Sequence, residues 1–513
     1  MTPALAFHLL TAVVGVVIAV IVVVYIKGLR ASPRDLWLLY GTKVLEYSAY
    51  AMINMTIVLY LTKNFGMGDV AAGTYFSVWS ILINFFTIVI GAVTDTIGIK
   101  RTLLLGTVTL VITRFILALS GDIYTATVFG FMPYAFGLAV MAPVISVGIK
   151  KMTTKETAAM GFALFYTLMN VGYAIGGWLW DKIRIGVTAT GGTWTVPGLG
   201  AALAPYEAIF FAGFLLTIPS VLFIAFLRDG AELDEKEQVV FKPQPKLEGG
   251  IFTVAKNTAV NALTGTAKSL KSTWSDTFFY KFLLIIFIVV FVRLVFFHLN
   301  SMTLPKYGLR LFGPGAKIGA LYGVLNPVLV VILVPLVGYF FKKVPSYRML
   351  LIGTSISALA CFIGVMPGDW FAGLNGTLLS GIVFTEWLGV QGDPHPAYWP
   401  LLIFIFVFTI GEAIWSPRLM QFTAELAPKG KEGTYISLSI LPFFLAKMFV
   451  GPMSGYLLET YVPVDEAGNA LASYPDHYMV WFWVGLTAII SPIGLFLFRG
   501  LVTKHEEASK EGA

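Results

Sequence analysis

A chain of 513 residues that is 57% apolar and only 12% charged, with a mean hydropathy of +0.81, cannot clothe itself for water. Soluble domains carry about a quarter charged residues. The 41 Phe, 22 Tyr and 12 Trp exclude a solvated disordered chain, and the single cysteine, Cys361, excludes an intramolecular disulfide or a cysteine metal cluster. The formal charge of +7 therefore bears on how basic residues divide between two membrane faces, with a lipid bilayer and not a nucleic acid as the partner.

A stretch of about 20 apolar residues crosses the hydrocarbon as a helix, because a helix satisfies its own backbone there. Thirteen such spans are predicted. The first covers 6 to 26; the others cover 37 to 62, 70 to 93, 102 to 119, 125 to 149, 157 to 180, 206 to 227, 279 to 303, 317 to 341, 348 to 366, 399 to 424, 434 to 458 and 478 to 498. The expected division is an extra N-terminal span with its linker (1–35), a six-helix bundle (36–228), a linker (229–278), a second six-helix bundle (279–500) and a tail (501–513).

No basic residue precedes the first span, whereas Lys27, Arg30 and Arg34 follow it, so it reads as a retained anchor with its N-terminus outside. Alternation then places Lys100, Arg101, Lys150, Lys151, Lys155, Lys342, Lys343, Arg348, Lys429, Lys431 and the C-terminal tail in the cytosol. The plasma membrane of a bacterium is the default location. In the linker, Phe252, Ala255, Ala259, Leu263, Leu270 and Trp274 recur near helical spacing with lysines between them, which suits a helix lying on the inner leaflet or a solvated connection.

Between the spans at 70–93 and 102–119 the chain reads Gly91, Asp95, Gly98, Lys100, Arg101, then Leu103, Leu104, Leu105, Gly106. A similar junction recurs between the spans at 317–341 and 348–366 as Gly338, Lys342, Pro345, Arg348, then Leu350, Leu351, Ile352, Gly353. The twelve-span body is thus a repeat of two halves.

The first junction resembles the signature loop of the major facilitator superfamily. That resemblance implies an all-α membrane fold of two six-helix bundles around a central cavity that opens alternately to either side. It also implies a conformational latch at Gly91, Asp95, Gly98, Lys100 and Arg101. The second copy has Lys342 where the first has its acid, so only the first is expected to act as the full latch.

Two further runs are similar to those of proton-dependent oligopeptide transporters: Phe165-Tyr166 with Asn170 and Gly172, and Gly411-Glu412 with Ser416-Pro417 followed by Ala427-Pro428. In that family the glutamate of the second run faces the cavity and helps to bind substrate, a role the resemblance gives to Glu412. Departures stand beside the matches. The ExxER run of the family falls on Thr42 to Glu46 without an arginine, the expected lysine before Pro143 is Ala142, and Lys447 occupies a usual asparagine position.

Independently of family, an ionisable side chain at bilayer depth costs about 3 kcal/mol or more, so each should meet a partner or a wet cavity. Lys43, Glu46, Tyr50 and Asn54 advance by helical steps along one stripe, as a Lys43–Glu46 pair or as a substrate or proton site. Arg293 and Asn300 share a face of their span, with His298 turned away to pack. A salt bridge between Glu412 and Lys447 is expected, Arg114 is expected at the periphery near headgroups, and Tyr166 and Asn170 add neutral hydrogen bonds. A cavity lined by Lys43, Glu46, Arg293, Glu412 and Lys447 would sum to a positive charge and favour an anionic or zwitterionic solute.

No phosphate-binding GxxxxGK[ST] loop and no HExxH occur, so neither ATP hydrolysis nor zinc proteolysis is expected, and no cofactor or metal. The reading is a secondary active transporter and not an enzyme: a proton-coupled symporter of a small zwitterionic or anionic solute, with peptide-like compounds the family-implied class. Export of amphiphilic or drug-like molecules is one alternative. A non-transporting receptor, with the first span docking a protein partner, is another.

Overall fold

The computed structural model describes residues 1–234, 238–242, 277–426 and 441–500, with short pieces between 253 and 265. The first helix, α1 (Pro3–Gly28), starts where Thr2 accepts a hydrogen bond from the Leu5 amide and Pro3 presets the first turn. The first bundle comprises α2 (Arg34–Phe65), α3 (Asp69–Ile97), α4 (Ile99–Leu119), α5 (Ile123–Met152), α6 (Ala158–Ala189) and α7 (Pro205–Ala225). The second comprises α8 (Thr277–Phe297), continued by a π-helical turn and α9 (Leu304–Phe312), then α10 (Gly319–Phe340), α11 (Ser346–Ile363), α12 (Tyr398–Leu426), α13 (Leu441–Tyr461) and α14 (Met479–Leu497).

Among the described residues twelve helices have the length and hydropathy to cross a membrane, and α13 lies alongside them, packed on α3. The two predicted bundles and the extra first span are all present. The surface helix expected between 252 and 274 falls largely outside the described residues.

Turn chemistry sets the two ends of the body. At one end α2 stops on Gly66, whose φ of 66° is a left-handed cap that glycine takes without a Cβ clash. At the other, Gly98 alone joins α3 to α4 with φ 89° and ψ 162°, which makes the signature loop a one-residue corner. These ends are called the Gly66 face and the Gly98 face. The long connections at 190–204, 364–397 and 462–478 all gather on the Gly66 face, with a hairpin pairing Trp194–Thr195 to Ala202–Leu203 and a short apolar helix, Leu378–Leu388.

The bundles meet along two seams, α3 against α13 and α6 against α10. Both rely on glycine. A Cβ at Gly177 would sit 2.7 Å from the Gly323 carbonyl carbon, and one at Gly73 would strike the Gly451 backbone. Helix α1 lies outside the body over the α6/α10 seam. Pro3 meets Gly381 of the short helix, and Gly28 meets Met160 at the start of α6. Its Leu9, Val13, Val16 and Val20 are exposed, as befits a helix solvated by lipid tails.

Candidate functional site: two buried ion pairs beside a central cavity

The charges predicted in the spans are sorted by partners that lie far away in the chain. Glu46 of α2 pairs with Arg114 of α4 at 3.1 Å, with both side chains sealed from solvent. Arg114 also donates to Thr217 of α7, and its guanidinium stands over the Tyr134 ring of α5. This corrects two expectations. Arg114 is not a peripheral headgroup residue, and Glu46 does not pair with Lys43. An arginine absent from the α2 run is supplied from α4, which turns that side chain inward.

Lys43 is fully buried with its amine between the rings of Tyr47 and Phe165, 3.5 Å from each ring centre, and it makes no hydrogen bond. Two π faces replace the expected carboxylate as its neutralising surroundings.

In the second bundle Arg293 of α8 pairs with Glu412 of α12 at 3.4 Å. Asn326 of α10 donates to the second Glu412 oxygen at 2.9 Å and to Thr409 at 3.0 Å. The expected Glu412–Lys447 bridge is therefore replaced. Lys447 of α13 lies over the Phe297 ring of α8, 5.4 Å from its centre, and among the described residues no carboxylate pairs with it. Arg293 came to Glu412 because α8, and not α13, presents its cation to that face of α12.

A cavity of about 190 Å³ lies where the bundles meet, lined by Glu46, Tyr47, Tyr50, Ala142 and Pro143 of the first bundle and by Lys447 of the second. Arg293 adjoins this region, lying within Coulombic range of Tyr50, Tyr166, Tyr173, Tyr322 and Lys447. So Glu46, Tyr50 and Lys447 share one cavity, Arg293 with Glu412 and Tyr166 lies next to it, and Lys43 stands behind the wall formed by Tyr47. Asn170 spends its amide on the Tyr166 carbonyl within its own helix, a packing role.

Asn54 and Asn300 form a 2.7 Å hydrogen bond across the two bundles. Asn300 sits in the π-helical turn His298–Met302, which rotates it toward α2. His298 is buried and bonded to Thr303, as a packing residue should be. In the signature loop Gly91 is open, Lys100 half-buried and Arg101 exposed; the Asp95 side chain lies outside the described residues.

Tyr173, Tyr322, Asn326 and Tyr47 escaped the sequence reading. Each lies in an apolar run where tyrosine and asparagine are common packing residues, and only the helix order brings them to the charges.

Toward the Gly66 face the bundles are locked. Asp69 of α3 takes Lys306 at 2.8 Å and Arg310 at 2.7 Å, both from α9. Asp181 of α6 accepts from the Gly319 and Ala320 amides at the start of α10, at 3.0 and 2.6 Å, while Arg184 donates to the Pro314 and Ala316 carbonyls. The Val70 amide donates to Glu459 at 3.1 Å. With Asn54–Asn300 and the Ser77 hydroxyl, which donates to the Lys447 carbonyl, these contacts tie the two bundles together from mid-span to the Gly66 face. The structure is therefore closed at that face.

Residues 39–394 match the Major Facilitator Superfamily. The chain belongs to that superfamily. This facilitator is 21% identical to dipeptide and tripeptide permease A of Citrobacter koseri, over 94% of this chain and 95% of that one. It is 22% identical to the permease of the same name from Edwardsiella piscicida, over 90% and 94%. Its fold is similar to that of a POT family transporter solved in complex with 5-aminolevulinic acid, with a TM-score of 0.63, 16% identity and coverage of 91% of this chain and 97% of that one. A bacterial homologue of the human drug peptide transporters PepT1 and PepT2 is similar at a TM-score of 0.63 and 15% identity, covering 92% and 99%. The facilitator is a multi-pass membrane protein and a secondary transporter, not an enzyme, and it resembles the proton-dependent oligopeptide transporters.

Proposed function

We propose that this facilitator is a proton-coupled symporter of small zwitterionic solutes bearing a carboxylate, with di- and tripeptides and compounds of similar size as the substrate class. The observation that carries this is Lys447: with Glu46 and Glu412 committed to arginines, it lines the cavity as a cation with no carboxylate partner among the described residues. A substrate carboxylate would meet Lys447, and Tyr50 and Tyr166 would supply neutral hydrogen bonds. Glu412, held by Arg293 and Asn326, would exchange a proton as the pair loosens, since a carboxylate in low dielectric stays ionised only while its cation is near. The permease relatives support the same substrate class.

The Gly98 face, which carries Lys100, Arg101, Lys150, Lys151, Lys342 and Lys343, is proposed as cytosolic, with the N-terminus outside and the C-terminus inside. On that assignment the closed Gly66 face is the outer one, and Gly91, Asp95, Gly98, Lys100 and Arg101 are proposed as the latch that engages when the cytosolic side closes. Helix α1 is read as a lipid-facing anchor; a docking role for a protein partner is the alternative.

Uptake of labelled dipeptide into liposomes under an imposed inward proton gradient tests the reading. Lys447→Gln should raise KM at least tenfold. Glu412→Gln should lose gradient-driven accumulation while retaining exchange of internal for external substrate. Extrusion of amphiphiles with no dipeptide uptake would favour the exporter, for which the tyrosines Tyr47, Tyr50, Tyr166 and Tyr173 offer an aromatic wall.

A further inference from the structure

A second cavity, of about 350 Å³, lies at the Gly66 face, away from the central one. Its walls come from both bundles: Lys63 of α2, Arg184 of α6 and Tyr206 of α7 face Lys306 and Arg310 of α9 and Asn469 of the α13–α14 connection. Four of its lining side chains are cations, and among the described residues no carboxylate lines it. Lys63 is exposed at the mouth, whereas Arg184 and Lys306 are each 2% exposed on the floor.

The acids near this cavity are already engaged. Asp69 holds Lys306 and Arg310, and Asp181 contacts Arg184 at 3.4 Å while accepting two backbone amides. Lys63 donates to the Gly468 carbonyl, with Asp465 nearby. The Arg184 guanidinium also lies over the Trp180 ring, 4.6 Å from its centre. Lys63 and Arg184 are bonded chiefly to neutral carbonyls, those of Gly468, Pro314 and Ala316, and a compact oxyanion in the cavity between them is the complement that would offset their charge.

We propose that this cavity is a regulatory site for a compact oxyanion, a phosphate or a small carboxylate, which bridges Lys63 and Arg184 on one bundle to Lys306 and Arg310 on the other. Opening the Gly66 face separates those walls, so the anion binds the closed state and shifts the population toward it. The site is independent of the substrate reading, because none of its residues lines the central cavity.

Inorganic phosphate and succinate, each titrated into purified full-length protein against sodium chloride at matched ionic strength, test it through the thermal unfolding midpoint and calorimetric binding. Wild type should show a saturable rise in midpoint beyond chloride with one or both anions, and the anion that acts identifies the source. Arg184→Gln and Lys63→Gln should weaken that binding at least tenfold, while Lys447→Gln should leave it within twofold. Lys63 is exposed, so its variant decides the matter if Arg184→Gln fails to fold. Responses equal to chloride, or a response lost in Lys447→Gln and kept in Lys63→Gln, would overturn the proposal.

Discussion

Glu46 and Arg114 form an ion pair 3.1 Å long with both side chains at or below 1% exposure, inside a bundle rather than between bundles. A charge left alone in such a place costs about 3–5 kcal/mol. Arg114→Met should therefore destabilise the protein by an amount of that order, and Glu46→Gln by less, because Arg114 keeps Thr217 and the Tyr134 ring. The double variant should recover a large part of the Arg114→Met loss, since no charge remains to be solvated. Denaturant unfolding of the three proteins in one detergent checks this; additive losses would show that the two side chains do not act as a pair.

The α6/α10 seam depends on backbone approaching backbone at Gly177 and Gly323. Gly177→Leu should leave each bundle folded but hold the Gly66 face apart, abolishing transport. Ala316→Cys, at a residue buried in the closed face, reports on this. Its labelling by a membrane-impermeant thiol reagent should rise severalfold when Gly177→Leu is added, with little background from the buried Cys361.

Acid should destabilise the folded protein through His477. Tyr307 of α9 bonds the His477 Nδ1 at 2.8 Å, and burial, with His395 adding to it against the opposing pull of Asp476, lowers the imidazole from 6.5 to about 4. Between those values the unfolded chain takes up a proton that the folded one refuses, so stability falls as pH drops from 6.5 toward 4. His477→Asn should flatten that part of a pH–stability curve. An identical slope in the variant would remove His477 as its source.

Deleting residues 1–28 should leave the twelve-helix body folded, because α1 touches it at few points and turns most of its apolar side chains away. Gel-filtration behaviour and substrate uptake of the shortened protein check this. Retained folding with lost uptake would point to α1 as more than an anchor.

Much of this protein is written locally in its chain. Apolar runs of about 20 residues must become membrane helices wherever they occur, and the Gly98 corner, the repeated junction and the Glu412 run are contiguous, so spans, halves and family were all legible. The partner of each buried charge was not. Glu46 looked toward Lys43 and Glu412 toward Lys447 on proximity in sequence or expected helix order, yet Arg114 and Arg293 took those places. Pairing in a bundle depends on the rotation of each helix about its axis and on which neighbour it faces, and those are settled by side chains from many helices packing together. The same holds for Lys63, Arg184, Lys306 and Arg310: dispersed along the sequence, they become one basic chamber only when the two bundles close upon each other.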